Sequence, residues 1–100
     1  MGEKVINVAK DFSRAPAGRY VSDGPNSGER FRTDFLVPAL AASQTLTLEL
    51  DGTRGYGSSF LEEAFGGLIR LGYAAADLIA RVSFRSSDPS LVQEIKEYWA

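Results

Sequence analysis

The chain contains no cysteine and no histidine. The first absence removes disulfide scaffolds, thiol nucleophiles and every thiolate metal site. The second removes the side chain most often used as a general base and the commonest zinc ligand. Serine, carboxylates, lysine and tyrosine remain for chemistry, and no pair of carboxylates stands at a spacing that predicts hydrolysis or a metal site. The expectation is a protein that is not an enzyme and that takes neither a metal nor another cofactor. A basic surplus is missing as well: 11 Lys and Arg face 13 Asp and Glu, for a formal charge of -2. That balance argues against a nucleic-acid partner and against an anionic membrane surface. No stretch approaches the roughly 20 apolar residues of a membrane span, and the opening MGEKVINVAKDF has no long apolar core of a signal peptide, so the expected location is the cytoplasm.

What is present suits one domain over residues 1–100 with one core, since 44% of the chain is hydrophobic. Eight of the eleven basic residues are arginine, whose planar fork suits carboxylate or phosphate partners. Residues Glu3 to Ala9 carry Val5, Ile6 and Val8 in a β-branched run and read as a first strand. The following SRAPAGRYVSDGPNSG is a long turn-rich connection, in which Arg19-Tyr20-Val21 reads as a brief strand. Its length marks it as part of a site. Phe31, Phe35, Leu36, Ala39 and Leu40 then fall at near-helical spacing, with Ser27 as cap and a kink or break expected at Pro38.

The segment QTLTLELDG alternates, with Leu46, Leu48 and Leu50 on one face and Thr45, Thr47 and Glu49 on the other. RVSFRS does the same, with Val82 and Phe84 opposite Arg81, Ser83 and Arg85. A parallel sheet covered on both faces shows continuous apolar runs instead, so the alternation predicts two layers, with helices on one side. Between these strands, SSFLEEAFGGLIRLG sets Leu61, Ala64, Phe65 and Leu68 on one stripe, with Gly72 as a left-handed stop. A last helix starts at Asp88 and Pro89 and buries Leu91, Val92, Ile95, Tyr98 and Trp99. The order β, long loop, α, β, α, β, α implies an α/β domain with right-handed crossovers between parallel strands. Counting Arg19 to Val21, the sheet has about four strands, mostly parallel or mixed, with three helices mainly on one face.

The sharpest local feature is DGTRGYGSSFLEE, where a strand ends, glycines permit unusual backbone angles and a serine pair opens a helix. Exposed amides and the positive end of the helix dipole favour an anion there. Ser59 with Glu62 fits a capping box, which leaves the Ser58 hydroxyl at the loop tip for a phosphoryl group or a partner. Gly66 and Gly67 each cost about 0.8 to 1 kcal/mol in a helix relative to alanine, so another element of the fold or a partner's backbone approaches closely there. Glu62 and Glu63 with Arg70 read as a solvated face. The loop GRYVSDGPNSGERFR interleaves glycine and arginine but lacks the G-K-[ST] ending of a phosphate-binding loop.

The strand-turn-helix LTLELDGTRGYGSSFLEEAFGGLIRLG resembles the corresponding element of STAS domains, the fold of anti-sigma-factor antagonists. More closely, AGRYVSDGPNSGERFR followed by GYGSSFLEEAFGGL resembles a STAS-like bacterial family of unassigned function, and the likeness runs over nearly the whole chain. In antagonists of this fold an aspartate-serine-serine-glycine turn opens the helix, and its first serine is phosphorylated by a histidine-kinase-like ATPase. The resemblance places Ser58 at that serine and Ser59 at the second, with Gly57 in place of the aspartate and Phe60 in place of the glycine. It implies a regulatory protein-protein interaction module of the partner-switching type, docking such an ATPase or a sensor through Gly55, Tyr56, Gly57, Ser58 and Ser59 together with Glu62 and Glu63. A second reading is a small-anion or nucleotide sensor in which Arg19, Arg30 and Arg54 close on a ligand at the turn. A third is a structural homodimer made through the polar sheet face or an edge strand.

Overall fold

A computed structural model of the chain describes residues 2–100. Strands β1 (Glu3–Asn7), β2 (Thr45–Glu49) and β3 (Val82–Arg85) form a sheet in the order β1-β2-β3, with both pairings parallel. Ile6 lies opposite Leu48, and Leu48 opposite Phe84, so one face of the register is apolar. Ile6, Leu46, Leu48 and Val82 are buried on it. The other face carries Glu3, Thr45, Glu49, Ser83 and Arg85, with Glu49 and Arg85 3.7 Å apart. Thr47 is the buried exception in its middle, where its hydroxyl donates to Glu3 at 3.4 Å. The alternation of the sequence therefore translates into a sheet with one apolar and one polar face.

Three parallel strands need long crossovers, and helices supply them. Helix α1 covers 28–42 and α2 covers 58–70, while α3 (Ala75–Arg81) and α4 (Pro89–Glu97) complete the layer. A π-helical turn, Val8–Phe12, makes a fifth helical segment. Local caps explain the boundaries. Ser27 Oγ accepts from the Arg30 amide at 3.2 Å, and Asp88 accepts from the Ser90 and Leu91 amides at 3.0 and 3.3 Å, with Pro89 at the first helical position. Gly72 stops α2 with φ of 105°.

Several expectations are corrected. The sheet has three strands among the described residues, not four, because Arg19 to Val21 pairs with nothing in the sheet. The Asp23 carboxylate takes the Arg19 and Tyr20 amides at 3.2 and 2.8 Å, and Glu29 takes that of Val21 at 2.9 Å, so Val21–Asp23 closes into a 3-10 turn. The first strand ends at Asn7 rather than Ala9, since Asn7 Oδ1 caps the Lys10 amide and Asp11 accepts from the Asn7 amide. The helices number more than three. At Pro38 the helix neither breaks nor ends: the wide π turn Arg32–Leu36 runs directly into α-helical Val37–Ala42 within α1, which places the donorless proline in the first α-helical turn after it.

The core lies between the apolar sheet face and the helices. Its centre is aromatic: Phe31 packs 5.0 Å from Phe12 and 5.8 Å from Phe60, and Phe65 packs 5.9 Å from Trp99. Trp99 is fully buried and its Nε1 donates to the Phe65 carbonyl at 3.0 Å, which ties the end of α4 to the middle of α2. No helix among the described residues is long and apolar enough to cross a membrane.

Candidate functional site

The loop between β2 and α2 is shaped by its own polar groups. Asp51 accepts from the Ser87 amide and hydroxyl at 2.9 and 3.0 Å, which joins this loop to the one after β3. Gly52 and Gly55 take φ of 98° and 136°, a region closed to most side chains. The Tyr56 hydroxyl donates to the Leu50 carbonyl at 2.8 Å and its ring packs 6.0 Å from Phe60. Burial pushes the Tyr56 phenol up to about 12, so it stays a neutral donor. The chain thus arrives at α2 along a fixed path. Gly57 is the N-cap, extended and without a side chain to cap with, and Ser58 is the first helical residue. Ser58 and Ser59 are exposed, while Phe60 and Leu61 beneath them are fully buried.

Ser59 and Glu62 do not form the expected capping box. The helix start has no side-chain cap, and Glu62 instead accepts from Arg19 and, at 2.6 Å, from Arg70. Two charge-assisted bonds to guanidinium outweigh one to an orphan amide. These bonds hold the Glu62 carboxyl below its ordinary value, Arg70 contributing most and Arg19 next. Glu63 corrects a second expectation. It belongs to no solvated face: it is buried, and it accepts from Arg32 at 2.7 Å, Arg70 at 3.1 Å and Arg19 at 3.3 Å. The long loop, α1 and α2 are locked together at this point by three arginines and two glutamates.

Glycine makes the lock fit. A Cβ on Gly67 would run into the Arg32 guanidinium, and one on Gly66 would come within 2.7 Å of the Glu62 carboxylate. Close approach by another element of the same fold thus explains Gly67, whereas at Gly66 the crowding comes from Glu62 and Arg70 of the same helix. Arg32 is a residue that the sequence reading missed, although the unfavourable glycines were the signal of something filling that space. Gly28, at the start of α1, meets the Phe60 carbonyl so closely that a Cβ has no room.

The other site residues are not gathered on an anion. Arg19 is committed to Glu62 and Glu63. Arg30 donates to the Pro25 carbonyl at 2.8 Å, pairs with Asp34 at 3.4 Å and stands 5.4 Å over the Phe12 ring. Arg54 alone of the three belongs to the loop before Ser58, where it is exposed. It borders a cavity of about 520 Å³ between the loops after β2 and β3, whose hydroxyls come from Thr53, Ser86, Ser87 and Ser90. Asp51, Asp88 and Glu94 also line that cavity, so its charge opposes a phosphate. Among the described residues no group of three or more metal-ligating side chains gathers.

Comparison with protein families matches residues 27–91 to the STAS-like domain of unknown function (DUF4325), and the chain belongs to that family. The match runs from the cap of α1 into the first turn of α4, so it includes the loop before Ser58 and the whole of α2. Comparison with curated proteins and with solved structures yields no match.

Proposed function

We propose, with membership of this STAS-like family as the premise, that the protein is a non-enzymatic regulatory domain. It docks a cytoplasmic protein partner on the loop 51–57 and the first turn of α2. The observation that carries this reading is the pair Ser58 and Ser59, exposed and unbonded at an uncapped helix start, on a base of fully buried Phe60 and Leu61. A surface already held in shape loses little ordering entropy when a partner covers it. Ser58 is the residue through which the contact is switched. A phosphate there adds about 1.5 to 2 negative charges at the contact and either repels the partner or redirects it. The likeness of the turn to that of anti-sigma-factor antagonists makes a histidine-kinase-like ATPase or a related sensor the partner class.

The test is capture of partners from the native cell by the wild-type chain, Ser58→Ala and Ser58→Asp, with mass spectrometry of Ser58 itself. A partner kept by the first two and lost by Ser58→Asp, with phosphate found on Ser58, supports the reading. Identical partner sets for all three, with Ser58 unmodified, overturn it.

A further inference from the structure

Six of the eight arginines are engaged. Arg19, Arg32 and Arg70 hold Glu62 and Glu63, Arg30 holds Asp34, Arg85 stands by Glu49, and Arg81 donates to the Leu40, Ser43 and Gln44 carbonyls. Arg14 and Arg54 are different: both are exposed, and neither guanidinium has an acceptor among the described residues. They lie forty residues apart in sequence, yet the Arg54 amide donates to the Arg14 carbonyl at 2.8 Å. The backbones that carry two unpaired cations are thus joined on neighbouring loops.

The backbone beneath them is fixed. The Ser13 amide donates to Val8 at 2.8 Å, Ser13 Oγ accepts from the Ala15 amide at 3.0 Å, and Pro16 is buried. On the other loop, Gly55 donates to Thr53 Oγ1 at 3.3 Å and Tyr56 anchors the end of the segment. Two cations on joined loops, neither with a counter-ion, both gain from one extended polyanion. In a molecule of net charge -2 such a pair is a local exception, which steers an acidic partner to one place and disfavours others.

We propose that Arg14 and Arg54 form a two-guanidinium anchor for an acidic segment of a protein partner. The anchor rests on the proposed docking surface, which it extends across to the loop after β1, and it specifies the chemistry of what docks there. A run of carboxylates is favoured over a small phosphate ligand. The two exposed arginines stand on separate loops, which a chain carrying several carboxylates can bridge, and the cavity that Arg54 borders does not include Arg14, so the pair is not gathered round one small anion. The net negative charge disfavours a nucleic acid.

The probe is a blocked hexaglutamate peptide titrated into the isotope-labelled full chain, with hexaglutamine as control and nuclear magnetic resonance as readout. Saturable shifts centred on Arg14 and Arg54 are expected, weakening with added salt. Affinity is expected to fall about fivefold in Arg14→Gln or Arg54→Gln and more than about tenfold in the double variant, and to hold in Arg85→Gln. Absence of saturation, shifts centred on Lys4, Lys10 or Lys96, or a double variant that binds like the wild type would each overturn the anchor. Ser58 does not enter this measurement. Hexaglutamate binding that persists while Ser58→Asp leaves the captured partners unchanged removes the switch and keeps the anchor.

Discussion

At Glu62 and Glu63 the polar side chains of α2 are tied to three arginines from three parts of the chain, whereas one turn earlier the Ser58 and Ser59 hydroxyls stand in solvent with no partner among the described residues. Within the first region the Arg32–Glu63 pair is largely desolvated, whereas Arg19, Glu62 and Arg70 stay part-exposed. Arg32 and Glu63 keep only 13% and 10% of their side-chain surface, so losing Glu63 strands Arg32 as an uncompensated charge, whereas Glu63 has Arg19 and Arg70 besides Arg32. The hydroxyls of the second region make no bond among the described residues. Under the proposed docking, stability and contact fall to successive turns of one helix, and the contact can change without loosening what supports it.

The comparison breaks most visibly at Glu63. Glu63→Ala leaves Arg32 without its counter-ion and is expected to lower unfolding stability by about 3 kcal/mol in urea titrations. A loss below about 1 kcal/mol would place the pair with ordinary surface ion pairs. Gly28→Ala comes next, at about 2 kcal/mol, and is expected to exceed Gly67→Ala. A Cβ on Gly28 meets the fixed Phe60 backbone, whereas one on Gly67 meets the Arg32 side chain, which can shift at the expense of its bonds to Glu63.

Two titrations sharpen the same contrast. Glu62 ionises in the fold below its ordinary value of 4.5, so its contribution is present above that pH and is lost as pH falls through the lower folded value. Glu62→Gln should flatten this acid limb of the stability curve. Tyr56 moves the other way, from 10.0 to about 12, so its contribution is complete below pH 10 and disappears as pH rises toward 12. Tyr56→Phe should remove that alkaline loss, and an unchanged curve would deny the loop its tyrosine clasp. Smallest of all, Ser58→Ala and Ser59→Ala are expected to stay within about 0.5 kcal/mol of the wild type in the same titrations. A larger loss at Ser59 would restore it as a cap.

The parts of the fold that were legible in the sequence rest on neighbours. Leu46, Leu48 and Leu50 announce a half-covered strand by their own alternation, and Ser27, Asp88 and Gly72 mark helix ends through bonds or backbone angles spanning a few residues. What was hidden depends on distant partners. Arg19 meets Glu62 across 43 positions and Arg32 meets Glu63 across 31. No local pattern announces such pairs, so Glu63 passed for a solvent-facing charge beside Arg70. Helix α3 escaped for another reason: it has no side-chain cap and buries only Leu78, too little for a periodicity to show. At the candidate site, the exposed turn and its serines were legible as a uncapped tip only in part, because the capping box that the spacing permits gives way to the two arginines. Arg14 carried no signal at all until the fold set it beside Arg54.

Trp99 gives the molecule an optical reporter of its own. It is the only tryptophan in the chain, its ring is sealed in the core, and its indole N–H is held by the middle of α2. Its fluorescence should be short in wavelength while α4 remains closed on α2, and should shift to the red when the two part. Every stability comparison above can therefore be followed by light from a residue that lies outside both regions being compared.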